Sequence, residues 1–368
     1  MSRLVPILRR LAAAALAAVL ATPALAEIRA TDITGRAVVL DAPAQRIVLG
    51  EGRHLGVLAM LHENPVALVA GWRQDKALDP VTEAAYAERF PGIADIPAVG
   101  AGNRQLSVES VIALQPDLVL LALVDATDPQ MAQPLAQLQA AGIPYAFVDF
   151  FAKPMQNSLP SLAFLGAVTG AEARAAEFAG VYQAHLARIA DRLAAAKPAS
   201  PRVFVQVHAG PDRCCPTVGA GVFDDFVTAA GGHNIGRDLV PGVMGNLSLE
   251  SLIAADPDVY LATGGQHMAA RGGLVLGAGY DAAAARASLA ALVAAPGLSG
   301  LRAVEEGRAL GIWHMFNDSL FHIALIERLA QLFHPDLFAD LDPEATMRDL
   351  TGRFAPVQVP GTWWVTLK

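Results

Sequence analysis

Two stretches of the chain, LSVESVIALQPDLVLLA from Leu106 and LSLESLIAADPDVYLAT from Leu247, are copies of one unit. Leu, Ser, Glu, Ser, Ile, Ala, Pro and Asp recur at the same places, and apolar residues fill most of the others. An amphipathic pattern alone does not require the same polar residues at the same positions, so the match points to a duplicated helix–strand unit. Ser107 and Ser248 suit helix N-caps, and Glu109 and Glu250 complement the helix dipole in the first turn. The pair is too far apart and too few for a solenoid repeat. Each copy therefore belongs to one of two similar lobes.

The surrounding sequence supports that division. From Thr31, TDITGRAVVL reads as a small hairpin. Short apolar strands such as RIVLG, PVALVAGW and PYAFVDF then alternate with helical stretches, the mark of a parallel sheet covered by helices. The rhythm breaks between Ala171 and Ala196, where one long helix carries an apolar stripe of Phe178, Tyr182, Leu186, Ile189 and Leu193. After Pro201 the alternation restarts. The expected architecture is α/β: two Rossmann-like lobes with central, mainly parallel sheets, joined by a single long helix. The expected boundaries are a leader over 1–26, an N-terminal lobe over 27–153, a linking helical segment over 154–198 and a C-terminal lobe with an extension over 199–368.

Arginines at positions 3, 9 and 10, an alanine- and leucine-rich run and Ala24-Leu-Ala26 read as a cleavable signal peptide, its apolar run short for a membrane span. The remainder, expected to be soluble and exported to the periplasm, has no cysteine near that cleavage site to carry a lipid. A formal net charge of -8 argues against a nucleic-acid partner. The cysteines, Cys214 and Cys215, are adjacent, so they form either a vicinal disulfide or two free thiols.

In open α/β sheets a ligand sits beyond the carboxyl ends of the strands. In the first lobe those ends carry Arg53 and His54, Trp72 and Arg73, and Phe150 beside Asp149. In the second they carry His208, Arg213, Cys214 and Cys215, then His267, then Trp313, His314 and Phe316. Arginines pair with anionic oxygens and aromatic rings stack, which suits a flat, partly anionic metal chelate. On this reading Arg53, Arg73 and Arg213 clamp the ligand and the cysteine pair packs against its face. His208, His267 and His314 could converge on a bare metal ion, although no local metal-binding spacing is present. His62, His185, His233 and His334 read as structural. There is no nucleophile elbow, zinc-protease helix or phosphate loop, which weighs against an enzyme.

The order DITGRAVVL…RIVLG, SVESVIALQPDLVLL, long helix, AGGHNIG, LSLESLIAADPDVYLAT and GLSGLRAVEEGRAL resembles the periplasmic substrate-binding proteins of ABC importers for ferric siderophores, haem and cobalamin. The resemblance covers nearly the whole chain after the leader. The cysteine pair and the tail ending in GTWWVTLK depart from it. It implies a monomer that holds an iron chelate between its lobes, with no permanently bound cofactor. It further implies delivery to a permease dimer and its ATPase, with Glu109 and Glu250, or neighbours such as Glu51 and Asp224, as docking points. The five tyrosines lie outside the strand-end loops, which favours a ferric siderophore over haem or cobalamin.

Overall fold

A computed structural model describes residues 27–74, 78–101, 105–211 and 214–367. The leader over 1–26 and Arg213 lie outside the described residues. The chain opens with an antiparallel hairpin, Ile28–Thr31 against Ala37–Leu40, closed by the Asp32 carboxylate, which accepts from the amides of Thr34 and Arg36. The first lobe is built on a four-stranded, wholly parallel sheet in the order Val69–Trp72, Ile47–Leu49, Leu118–Ala122, Tyr145–Val148. All five residues of Leu118–Ala122 are buried, as a parallel strand covered on both faces must be. Leu118 and Leu120 enter one core cluster while Val119 and Leu121 enter another. This is the alternation a strand imposes.

The second lobe has a seven-stranded mixed sheet. Its centre is parallel, with Val259–Gly264 between Arg202–Gln206 and Ala309–Trp313. Antiparallel strands flank that centre: Pro216–Val218 on one side and Trp364–Thr366, from the end of the chain, on the other. The sequence pattern did not announce these additions.

Two helices lie between the sheets. Pro154–Thr169 ends at Gly170, whose φ of 71° is the left-handed cap expected of glycine. Glu172–Ala196 then runs for 25 residues. Its buried Phe178, Tyr182 and Ile189 belong to one core cluster with Leu49 and Leu120 of the first lobe and with Val205 and Leu310 of the second. The linker is part of a core that both lobes share. Polar contacts reinforce its seat: Glu327, fully buried on the helix His322–Phe333, is held by a hydrogen bond to His185 (2.7 Å) and an ion pair with Arg188 of the linker. Among the described residues no helix is long and apolar enough to cross a membrane.

The duplicated unit adopts the same structure in both places. Ser107 and Ser248 cap their helices by accepting from the amides of Ser110 (3.3 Å) and Ser251 (3.1 Å). Each helix ends in a residue of positive φ, Gln115 at 48° and Asp256 at 40°, immediately before the shared proline. The shared aspartate then fixes the strand register. Asp117 accepts from the amides of Gln45 and Arg46, and Asp258 from that of Arg202, each at 2.8 Å. The following residue pairs with the neighbouring parallel strand in both lobes, Leu118 with Ile47 and Val259 with Val203.

Candidate functional site

A cavity of about 750 Å³ lies between the lobes. From the first lobe, Val57 and Met60 of the helix Leu55–Leu61 and Tyr86 of the helix Pro80–Arg89 give it an apolar wall. Burial pushes the Tyr86 phenol up to about 12, so that residue meets the cavity as a neutral hydroxyl. From the second lobe, His208, Gln266, His267, Trp313 and His314 form its polar end.

The imidazoles arrive there because three neighbouring parallel strands end at that rim. His208 follows Arg202–Gln206 and has a φ of 48°, a region a non-glycine residue occupies only when its surroundings hold it there. Its backbone N–H donates to the Thr263 hydroxyl (3.0 Å), which lies 2.8 Å from His314 Nδ1. The Thr263 oxygen has two lone pairs and can accept from both groups, so Nδ1 carries the His314 ring proton when Nε2 is an acceptor. His314 Nε2 accepts from the Asn317 side-chain amide at 3.3 Å. His208 Nδ1 and His267 Nε2 share a hydrogen bond of 2.9 Å, and the rings of His208 and His314 lie with centroids 3.9 Å apart. Four of the six imidazole nitrogens are thus engaged with one another or with neighbouring side chains. Among the described residues no group of three His, Cys, Asp or Glu side chains could hold a metal ion.

Two of these imidazoles are held toward the neutral form. Burial, with the neighbouring imidazoles and Arg53 adding to it, holds His314 well below the ordinary histidine range. His267 is lowered by burial and by Arg271. Arg53 reaches the cavity, but Glu51 pairs with it from its own lobe and Asp318 (2.6 Å) from the other.

Arg53, His208, His267, Trp313 and His314 thus line the cavity, and the other expected ligand contacts among the described residues do not. Arg73 is buried beside Asp125, at 3.8 Å, because the strand end turns its side chain into the lobe. His54 is buried edge-on to Phe150, with ring centroids 5.9 Å apart. Trp72 and Phe150 are core residues, and Phe316 is fully buried under a stacked Trp364. Cys214 and Cys215 are bonded to each other away from the cavity. Cys215 is packed in the outer core of the second lobe, and its carbonyl accepts from the amide of Leu247 at the start of the second repeat. Glu51 and Asp224 are buried in ion pairs with Arg53 and Arg237, so neither offers a docking charge. Glu109 and Glu250 are exposed.

Several wall residues went unnoticed in the sequence. Tyr86 and Met60 sit on helices, away from strand ends. Gln266 stands directly before His267, and its side-chain oxygen is buried with no hydrogen-bond partner in the structure. Val357, Val359 and Trp363 come from the tail. Only the adjacency of Gln266 to a strand end was a usable signal.

Residues 47–312 match the family model described as periplasmic binding protein. The chain belongs to that family. It is a family of solute-binding proteins, not of enzymes. Its solved relatives include the TroA-like periplasmic binding protein FepB from Veillonella parvula, with a TM-score of 0.84, 27% identity and coverage of 93% of this chain and 100% of that one. A periplasmic haem-binding protein from Pseudomonas aeruginosa has a TM-score of 0.56 at 20% identity, covering 88% and 98%, a likeness of fold alone. A cobalamin-binding protein from Halobacterium salinarum is 28% identical over 231 residues, 62% of this chain. This chain spans only 56% of the length of that relative.

Proposed function

We propose that this protein captures an iron chelate in the periplasm, holds it between its lobes and delivers it to an ABC permease dimer driven by its ATPase. A ferric siderophore is the ligand class favoured, now with a condition on its charge. The observation that carries this is a cavity between the lobes whose polar end is amide and imidazole, with His267 and His314 held toward the neutral form, and whose Arg53 is already balanced by two carboxylates. An arginine clamp for a strongly anionic chelate is not supported by that arrangement. A chelate whose donors balance the charge of iron(III), such as a tris-hydroxamate, suits it better. Such a ligand would place its apolar skeleton against Val57, Met60 and Tyr86 and its polar groups against Gln266 and the histidines.

A cobalamin or haem ligand is the second reading. The imidazoles at the polar end favour it, since a ring-bound metal can take an axial nitrogen. The test is a titration followed by tryptophan fluorescence, because Trp313 and Trp363 line the cavity. Ferric tris-hydroxamate, ferric tris-catecholate, haem and cobalamin are compared. The reading expects saturable quenching by the neutral tris-hydroxamate and at least tenfold weaker binding of the tris-catecholate. Tighter binding of haem or cobalamin would move the assignment to the second reading, and a preference for the tris-catecholate would overturn the charge argument.

Exposed Glu109 and Glu250, at equivalent points on the two lobes, are the permease-docking charges in this proposal. One protomer meeting a two-fold permease needs two such points. The protein acts as a monomer and carries no resident cofactor.

A further inference from the structure

The family match ends at residue 312, yet the chain beyond it helps to build the cavity: Met347, Thr351, Val357, Gln358, Val359 and Trp363 line it. The path of this extension is fixed at both ends. The helix Pro343–Phe354 is fastened to the linker helix, where Arg353 pairs with Glu177 at 3.0 Å and the Phe354 ring meets Phe178 edge-on at 5.0 Å. Arg174 of the linker lies over the Phe354 ring at 4.4 Å and also donates to the Arg353 carbonyl. At the other end Gly361–Thr362 pairs with Gly277–Ala278, and Trp364–Thr366 joins the sheet edge. A Cβ on Gly361 would stand 2.4 Å from the Gly277 carbonyl oxygen, so the two backbones meet at a distance only glycine permits. Trp363 rests on Trp313, centroids 4.8 Å apart, and Trp364 Nε1 donates to Glu344 at 2.7 Å.

Between these anchors residues 355–360 form no helix or strand and cross the side of the cavity. Gln358 turns its amide back to the Thr351 (2.8 Å) and Ala355 carbonyls at the end of the preceding helix. Val357 and Val359, two residues apart, are half-buried on the cavity wall.

We propose that residues 355–363 are a fixed apolar strap across the cavity, and that Val357 and Val359 select chelates by the character of the face turned toward them. An apolar ligand face packs on the strap. A charged or strongly hydrated face loses its water there, while Gln358, the polar neighbour of the two valines, has its amide N–H groups committed to the Thr351 and Ala355 carbonyls. The strap's role as a ligand filter rests on the chelate-binding reading above, but its position over an apolar cavity does not.

The experiment compares wild type with Val357→Asp/Val359→Asp and with the near-isosteric Val357→Thr/Val359→Thr, each checked for folding by its melting curve. Each protein is titrated with ferric tris-hydroxamate and, separately, with the apolar-cavity dye anilinonaphthalene sulfonate. The expected result is at least a tenfold loss of chelate affinity in the aspartate pair, at least threefold in the threonine pair, and weakened dye emission in both. If wild type binds the dye but no chelate, while the variants lose the dye, the chelate reading falls and the strap stands. Folded variants that bind chelate and dye as wild type does overturn the strap, as does a wild type that gives no dye emission. If the aspartate pair fails to fold, the threonine pair decides.

Discussion

In the first lobe Asp117 ties the start of the strand Ile47–Leu49 to its neighbour, and in the second lobe Asp258 does the same for Arg202–Gln206. The caps, the positive-φ turn before proline and the exposed glutamate also coincide. At the strand ends the likeness stops. The first lobe turns His54, Trp72 and Arg73 inward and lends the cavity mostly helix-borne apolar side chains. The second turns His208 and His267 toward the cavity and adds Trp313, His314 and the tail. A duplicated unit thus keeps what both copies need, a register and a symmetric outer face, and leaves the inner face free to diverge.

The comparison can be broken most sharply at Arg73. Replacing it with alanine removes a cation 3.8 Å from the buried Asp125 carboxylate, which keeps the Ala122 amide, and should cost about 1–3 kcal/mol. Denaturant unfolding should show that loss, while the folded fraction binds ligand as before. Weakened binding without lost stability would return Arg73 to the ligand and erase the asymmetry.

Acid should find the second lobe. His322 is fully buried 2.8 Å from the Tyr182 hydroxyl, and burial holds it down to about 3. The unfolded chain accepts that proton near pH 6.5 while the folded one refuses it. The neutral histidine's contribution is therefore complete above pH 6.5 and drains away as the pH falls toward 3. At pH 5 the loss from His322 alone is about 2 kcal/mol. A His322→Gln variant should unfold with a flatter pH dependence, measured by denaturant midpoints at pH 7 and 5; an unchanged slope would remove His322 as the cause.

Asp117→Ala and Asp258→Ala should each destabilise by about 1.5 kcal/mol, since the first strips two backbone amides, and the second one, of a charged acceptor. A large effect in only one lobe would show that the copies no longer share their register device. The smallest stability effect belongs to Glu109→Ala and Glu250→Ala, each within about 0.5 kcal/mol of wild type. Ligand affinity should hold in both, while permease-dependent uptake in vesicles falls to a similar extent. Uptake that ignores either glutamate would break the symmetry of the outer face.

The duplication and the strand–helix alternation were legible because both follow from spacing, and a buried parallel sheet enforces that spacing strongly. The strand-end rule located Arg53, His208, His267, Trp313 and His314 on the wall. It failed for Arg73, Phe150 and Phe316 because a strand end fixes where a residue sits and not which way its side chain turns. Cys215 was misplaced for the same reason, its side chain entering the outer core. The walls formed by Tyr86, Met60 and Val359 were invisible for another reason. A helix face or a tail becomes a wall only through contacts made far away in sequence, and no local pattern records them.

The antiparallel strand Trp364–Thr366 has a consequence for timing. It forms the outer edge of the second sheet, and the strap precedes it by a few residues. A chain emerging from its N-terminus therefore acquires the first sheet and the parallel centre of the second before this wall of the cavity. A product truncated before residue 355 can thus have both lobes largely folded and still lack one wall of the cavity.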